Sequence, residues 1–235
     1  MKILALESSA VACSACLTED DFLIAQSYEN SGMTHSVTLL PMAEELLKRA
    51  GVSEKEIDVF AVAAGPGSFT GVRIGVSACK GLAWALDKPC AKVSTLEAMA
   101  WSAAALPGIL CPVMDARREQ VYNALFSFDG EVLTRLTPDR AIGLEELKAE
   151  LREREGKYIL VGDGARLCYD RLNGDGLELV LTPPNLRYQS AWGVARSALE
   201  LAKRGELVSA GELVPEYHRL SQAERERLAR EASQK

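Results

Sequence analysis

Gly65-Pro66-Gly67-Ser68-Phe69-Thr70-Gly71-Val72-Arg73-Ile74-Gly75-Val76 decides how this chain is read. It follows an apolar run, Ile57 to Ala64, and leads into a long helical pattern, so it reads as a buried strand, a tight turn and a helix start. Gly65 and Gly67 open backbone angles closed to other residues, and Pro66 stiffens the bend between them. Ser68 or Thr70 supplies the cap. Gly71 and Gly75 then lie four residues apart on one helix face, at a cost of roughly 1 kcal/mol each against Ala. Such a face implies close approach by another backbone or a ligand. A Walker loop is excluded because no Gly-Lys-Ser/Thr follows, and the dinucleotide fingerprint G-x-G-x-x-G is missed by one residue. A tightly packed internal turn and a glycine-faced protein interface both remain open.

Working outward, Lys2 to Glu7, Ala10 to Leu17 and Phe22 to Ser27 read as three short strands joined by polar turns, an antiparallel meander. His35 to Arg49 carries a helical stripe stopped by Gly51, with Pro41 expected to distort or restart it. Thr70 to Leu86 is the glycine-faced helix, Ala91 to Val93 a short strand, and Ser94-Thr95-Leu96-Glu97 the capping box of a further helix. After Leu106-Pro107-Gly108 the pattern begins again. Ile109 to Met114, Gln120 to Phe128 and Glu131 to Leu136 read as strands, with Asp129-Gly130 as a hairpin turn. Helices over Leu144 to Arg154, Ala165 to Leu172 and Ser190 to Lys203 alternate with strands at Tyr158 to Val161 and Leu177 to Leu181. The expected organisation is an N-terminal lobe at 1–106, a C-terminal lobe at 107–220, and a terminal helix or tail at 221–235 opened by a second capping box, Ser221-Gln222-Ala223-Glu224.

With 235 residues, 48% of them hydrophobic, the chain can bury one large core or two medium ones. No apolar run reaches the ~18 residues that span a bilayer, and Met1 to Glu7 lacks a signal-peptide pattern, so a cytoplasmic protein without membrane contact is expected. The six cysteines sit mostly inside apolar runs and read as buried free thiols; Cys13 and Cys16 form a C-x-x-C pair with no second pair to complete a zinc site. A net charge of −6 argues against strong RNA binding by this chain alone, since its adjacent basic residues come only in pairs, such as Arg117-Arg118.

Two βββαβα-type halves are the layout of the actin/sugar-kinase/Hsp70 (ASKHA) fold class, an α/β fold of two lobes, each a mixed sheet flanked by helices. Ile3 to Ser9, His35-Ser36 with Leu39-Leu40-Pro41, Gly65 to Val76, and Met114-Asp115-Ala116-Arg117-Arg118-Glu119-Gln120-Val121-Tyr122 closely resemble the TsaB (YeaZ) family, over a span from the first strand to about Tyr217. The resemblance implies a role in forming threonylcarbamoyladenosine in tRNAs that read codons beginning with A. The chain would be a non-catalytic subunit beside a TsaD-like transferase, with a TsaE-like ATPase as a further partner and tRNA met only through the complex. Its expected interface is Phe69, Gly71, Val72, Ile74, Gly75 and Ala78, a flat ridge that would also pair two copies of this chain.

The sibling transferase carries an H-x-x-x-H metal pair where this chain has Thr95 and Met99, poor ligands for a metal that prefers imidazole. His35 and His218 are the whole histidine complement, so no helix-borne pair can form and neither metal nor catalytic residues are expected. Nor is a cofactor expected. Glu7-Ser8-Ser9-Ala10 lacks the phosphate-turn glycine, Asp115 is followed by Ala116-Arg117 and reads either as pairing with Arg117 or Arg118 or as capping a turn, and Gly162-Asp163-Gly164 resembles an adenosine loop but equally a turn capped by Asp163. Glu7, Asp115, Gly162 and Gly164 are therefore weak nucleotide-site candidates, and an independent ATP-dependent phosphotransferase using Glu7 and Asp115 is the alternative.

Overall fold

Two twisted sheets, each flanked by helices, are stacked with a shared helical layer between them. The computed structural model describes residues 1–174 and 176–219; the capping box expected at Ser221 to Glu224 lies outside them. The first sheet comprises β1 (Lys2–Glu7), β2 (Cys13–Glu19), β3 (Phe22–Glu29), β4 (Val59–Gly65) and β5 (Cys90–Ser94), in the order β3-β2-β1-β4-β5. The meander expected at the N-terminus is present: β2 runs antiparallel to β1 and β3, while β1 and β4 pair in parallel with Ile3 opposite Val59. Helices α1 (His35–Ala50) and α2 (Phe69–Leu86) cover its outer face, burying Leu39, Leu46, Val72, Val76 and Cys79 against Leu4, Leu6, Phe60 and Val62. Pro41 neither breaks nor restarts α1, which runs unbroken through it. The apolar stripe of Leu39, Ala43, Leu46 and Leu47 holds the helix together despite a missing amide that costs about 3 kcal/mol in an unsupported helix.

The second sheet repeats the first. Its strands are β6 (Ile109–Asp115), β7 (Gln120–Asn123), β8 (Phe126–Phe128), β9 (Leu133–Arg135), β10 (Arg140–Gly143), β11 (Lys157–Val161) and β12 (Glu178–Leu181). The main path is β10-β7-β6-β11-β12, with β8 pairing β6 and β9. The single strand expected over 120–128 is broken at Ala124 and Leu125, and its expected partner over 131–136 is likewise continued by an unforeseen strand, β10. Side chains replace the ladder at the break. The Leu125 amide donates to Thr137 Oγ1 (2.8 Å), and Asn123 Nδ2 donates to the Pro112 and Ala124 carbonyls. Counting β7 with β8 and β9 with β10 as kinked single strands, both lobes share one strand order.

Helix α3 (Thr95–Ala103) presents Leu96, Met99 and Ala100 to the second sheet; α4 (Leu144–Glu153) and α5 (Ala165–Leu172) cover that sheet's other face. After β12 come the short α6 (Pro184–Arg187) and α7 (Ala191–Lys203). Although α7 lies within the 107–220 segment, it packs on the first sheet: Ala191, Val194, Ala195 and Ala198 meet Ile3, Ala5, Cys16 and Ala61. The chain beyond it stays with the first lobe. Val208 exchanges two backbone hydrogen bonds with Cys90, and the Glu216 amide donates to the Ala64 carbonyl at 2.7 Å. A division at residue 106 thus follows the chain but not the packing. All six cysteines are free and buried, as their apolar settings implied.

The glycine face of α2 points inward. A Cβ on Gly71 would collide with the Ser8 carbonyl oxygen, and one on Gly75 would lie 2.6 Å from Ser8 Oγ and 3.1 Å from Val62 Cγ2. Gly81, on the exposed side of the same helix, has open space around it. Gly71→Ala should therefore destabilise the fold by roughly 1–3 kcal/mol through overpacking, whereas Gly81→Ala should stabilise it by up to about 1 kcal/mol. Denaturant unfolding of the two variants checks this, and equal effects would refute the inward contact.

Candidate functional site

The end of β1 meets the second lobe at Glu7, whose side chain is fully buried. Its Oε1 accepts the Ser9 amide at 2.6 Å, and the Ser9 carbonyl accepts the Ser68 amide at 2.7 Å. Ser8 Oγ donates to the Gly71 carbonyl at 2.9 Å. The turn after β1 thus ties itself to α2, and the Ser9 amide, which a phosphate-binding turn would offer to its ligand, is occupied by Glu7. Burial pushes the Glu7 carboxyl up to about 7, with nearby Asp163 adding to the rise and hydrogen bonds from Ser9 opposing it. Burial likewise raises Asp163, opposed by its hydrogen bond from Gln189.

Asp163 does not cap a helix. Gly164 holds the cap position of α5, and Asp163 Oδ1 instead accepts Gln189 Nε2 at 2.7 Å. Gln189 reaches it from 26 residues away and carried no local signal in the sequence. The amides flanking Asp163 are also engaged: Gly162 N donates to the Arg187 carbonyl (2.6 Å) and Gly164 N to the Val113 carbonyl (3.1 Å). Asp115 pairs with Arg117, one of the expected alternatives, accepting the Arg117 amide at 2.7 Å and facing its guanidinium at 3.5 Å. The four weak nucleotide-site candidates, Glu7, Asp115, Gly162 and Gly164, therefore cluster around one interlobe floor, where each is held by intramolecular bonds.

The turn after Asp115 is unusual. Arg117, Arg118 and Glu119 all have positive φ, at 65°, 56° and 57°. Three successive non-glycine residues in this region cost roughly 1–2 kcal/mol each. Several contacts hold them: Gln120 N donates to the Arg117 carbonyl, Leu144 N to the Glu119 carbonyl, and Arg171 pairs with Glu119 at 2.9 Å. Arg219 donates to the Ala116 carbonyl and, at 3.5 Å, to that of Arg117. Nothing in the local pattern announced the role of Arg219.

The residues expected to form a partner surface divide in two. Gly71, Val72 and Gly75 are buried against β1, β4 and Ser8, which corrects the expectation of a bare glycine ridge. Ile74 and Ala78 lie half-exposed in a groove of about 540 Å³ between α1 and α2, shared with His35, Leu39, Leu40 and Thr70. Leu40 and neighbouring Val37 are exposed at 45% and 59%. Phe69 stacks on Tyr217 with ring centroids 4.6 Å apart, and Arg73 lies over both rings while its Nε donates to Tyr217 Oη at 2.8 Å. His35 Nε2 lies 2.7 Å from the Ala10 carbonyl, anchoring the start of α1 to the β1–β2 turn.

A family profile described as TsaD: tRNA N6-adenosine threonylcarbamoyltransferase matches residues 29–160. The tRNA threonylcarbamoyladenosine biosynthesis protein TsaB of Bacillus subtilis (strain 168) is 34% identical over 95% of this chain and 96% of its own length. The chain belongs to the TsaB family. TsaB of Escherichia coli (strain K12) is 31% identical over 93% of this chain and 95% of its own. A Pseudomonas aeruginosa structure described as similar to peptidase YEAZ superposes with a TM-score of 0.81 at 28% identity, covering 93% of this chain and 99% of that one. The two-lobed actin/sugar-kinase-like fold follows from the repeated strand order and this likeness. In this TsaB-family chain Thr95 and Met99 are buried, Met99 within the α3 core, and Ser94 caps α3 by accepting the Glu97 amide.

The raised Glu7 carboxyl has a stability consequence. The neutral form is favoured in the folded state, so its contribution is complete below the unfolded value near 4.5. It falls as pH rises to about 7 and is level above that. Up to about 3 kcal/mol is involved. Glu7→Gln should flatten the pH dependence of unfolding free energy between 4.5 and 7 and leave the variant more stable than wild type at pH 8. An unchanged slope would contradict the assignment.

Proposed function

We propose that this protein is a non-catalytic subunit in the formation of threonylcarbamoyladenosine in tRNAs that read codons beginning with A. The observation that carries this reading is the near full-length likeness to two bacterial TsaB proteins named for that biosynthesis. The structure adds physical support. The positions matching the sibling family's metal pair, Thr95 and Met99, are core residues, and the backbone donors that an ATP site would need are engaged internally. The same engagement disfavours an independent phosphotransferase.

The partner in this proposal is a TsaD-type transferase subunit, docked on the groove between α1 and α2. That face offers Leu39, Leu40, Ile74 and Ala78, with Arg73 as its one acidic or basic side chain besides His35, which suits an apolar helix pair. The profile match suggests that such a pair would come from a sibling fold, so the two chains would meet about a pseudo-two-fold axis. In the absence of that subunit the face would join two copies of this chain. A TsaE-type ATPase would join the assembled pair, and tRNA would be met through the complex. No described helix is long and apolar enough to cross a membrane, and a cytoplasmic setting is part of the proposal.

Leu40→Asp and Ser77→Arg each place a charge on the groove at an exposed position. Each should weaken binding to the transferase subunit at least tenfold by calorimetry, with the unfolding midpoint little changed. Full affinity in both variants would place the partner elsewhere.

A further inference from the structure

We propose that the turn Ala116-Arg117-Arg118-Glu119 is a phosphate-contacting element that grips the tRNA backbone once this chain sits in its complex. This rests on the tRNA-modifying reading above and assigns to this chain a contact which that reading leaves to its partners.

Four features of the turn carry the inference. First, its backbone is held open at a cost: three consecutive non-glycine residues are left-handed, which local propensity does not favour. Second, that shape is enforced from several directions. Asp115 accepts the Arg117 amide, Leu144 N holds the Glu119 carbonyl, Arg171 holds the Glu119 carboxylate, and Arg219 donates to two turn carbonyls. Third, the enforced shape leaves two guanidinium groups in solvent. The Arg117 side chain is 86% exposed, and Arg118 is exposed with no ion-pair partner among the described residues. Fourth, Arg219 reaches the turn from the segment that follows α7 and brings a third guanidinium group against its backbone.

The chemistry of the patch points to phosphate. Guanidinium is a planar fork that matches phosphate oxygens in pairs and sheds water more readily than ammonium. The turn contains none of the exposed large apolar side chains of this chain, which a protein interface would use. The acids beside it are already paired, Asp115 with Arg117 and Glu119 with Arg171. On a chain of net charge −6, a local basic patch cannot hold RNA alone but can add contacts to RNA delivered by a partner.

The test uses the complex of this chain with its transferase subunit and a fluorescein-labelled tRNA transcript, followed by anisotropy over a series of salt concentrations. The double variant Arg117→Gln/Arg118→Gln should bind tRNA about tenfold more weakly at low salt. Its slope of log affinity against log salt should be shallower by about 1–2 units, since each phosphate contact contributes roughly 0.7–0.9. Arg118→Lys should keep the wild-type slope because the charge remains. Calorimetry with the transferase subunit alone should show the double variant unimpaired. An unchanged affinity and slope in an intact complex overturns the proposal, as does a loss confined to transferase binding, which would make the turn a protein contact. If wild-type chain fails to bind the transferase subunit, calorimetry reports the failure of the functional reading separately, and this proposal falls with it.

Discussion

The contact between Ser8 and the glycine face of α2 is the constraint on which the rest depends. Ser8 presents its carbonyl oxygen to Gly71 and its hydroxyl to Gly75, and donates to the Gly71 carbonyl. Only residues without a Cβ let α2 come this close. That approach sets the position of the helix over the first sheet, and with it the groove that α2 forms with α1. It also locks the β1–β2 turn: Ser68 bonds Ser9 from the helix side, and His35 bonds Ala10 from the start of α1.

Locking that turn has a chemical consequence at the interlobe floor. A turn whose amides point into the cleft can receive phosphate; here the Ser9 amide is turned onto Glu7, and the amides of Gly162 and Gly164 onto neighbouring carbonyls. These backbone donors meet protein acceptors, while Glu7 Oε2, Ser9 Oγ and Gln189 Oε1 are buried there without a hydrogen-bond partner. Burial of the Glu7 carboxyl, with a smaller push from neighbouring Asp163, raises it to about 7. The scaffold keeps two lobes of one strand order, with backbone donors at the floor between them bonded internally. Its distinctive exposed features lie elsewhere, on the α1–α2 groove and on the left-handed arginine turn.

Much of this was legible in the chain. The two βββαβα halves, the hairpin at Asp129-Gly130 and the buried thiols all follow from short-range patterns, as does a local role for Asp115, though not the choice of Arg117 over Arg118. Errors arose where distant groups decide the outcome. Pro41 stays inside α1 because a buried stripe outweighs one lost hydrogen bond. The strand over 120–128 breaks because Thr137 and Asn123 replace backbone partners. Asp163 serves Gln189 rather than α5, and α7 crosses to the first lobe because its alanine face fits Ile3, Ala5 and Ala61.

The sequence by itself determined that Gly71 and Gly75 must meet something closely, because glycines in a helix interior are costly and no flexible loop surrounds them. It could not say what they meet. A Cβ-free face serves an internal turn and an external helix equally well, and the choice depends on where Ser8 lies, 63 residues away in the chain. Only the tertiary structure decided it, turning the glycines inward and leaving Ile74, Ala78 and Leu40 to face outward.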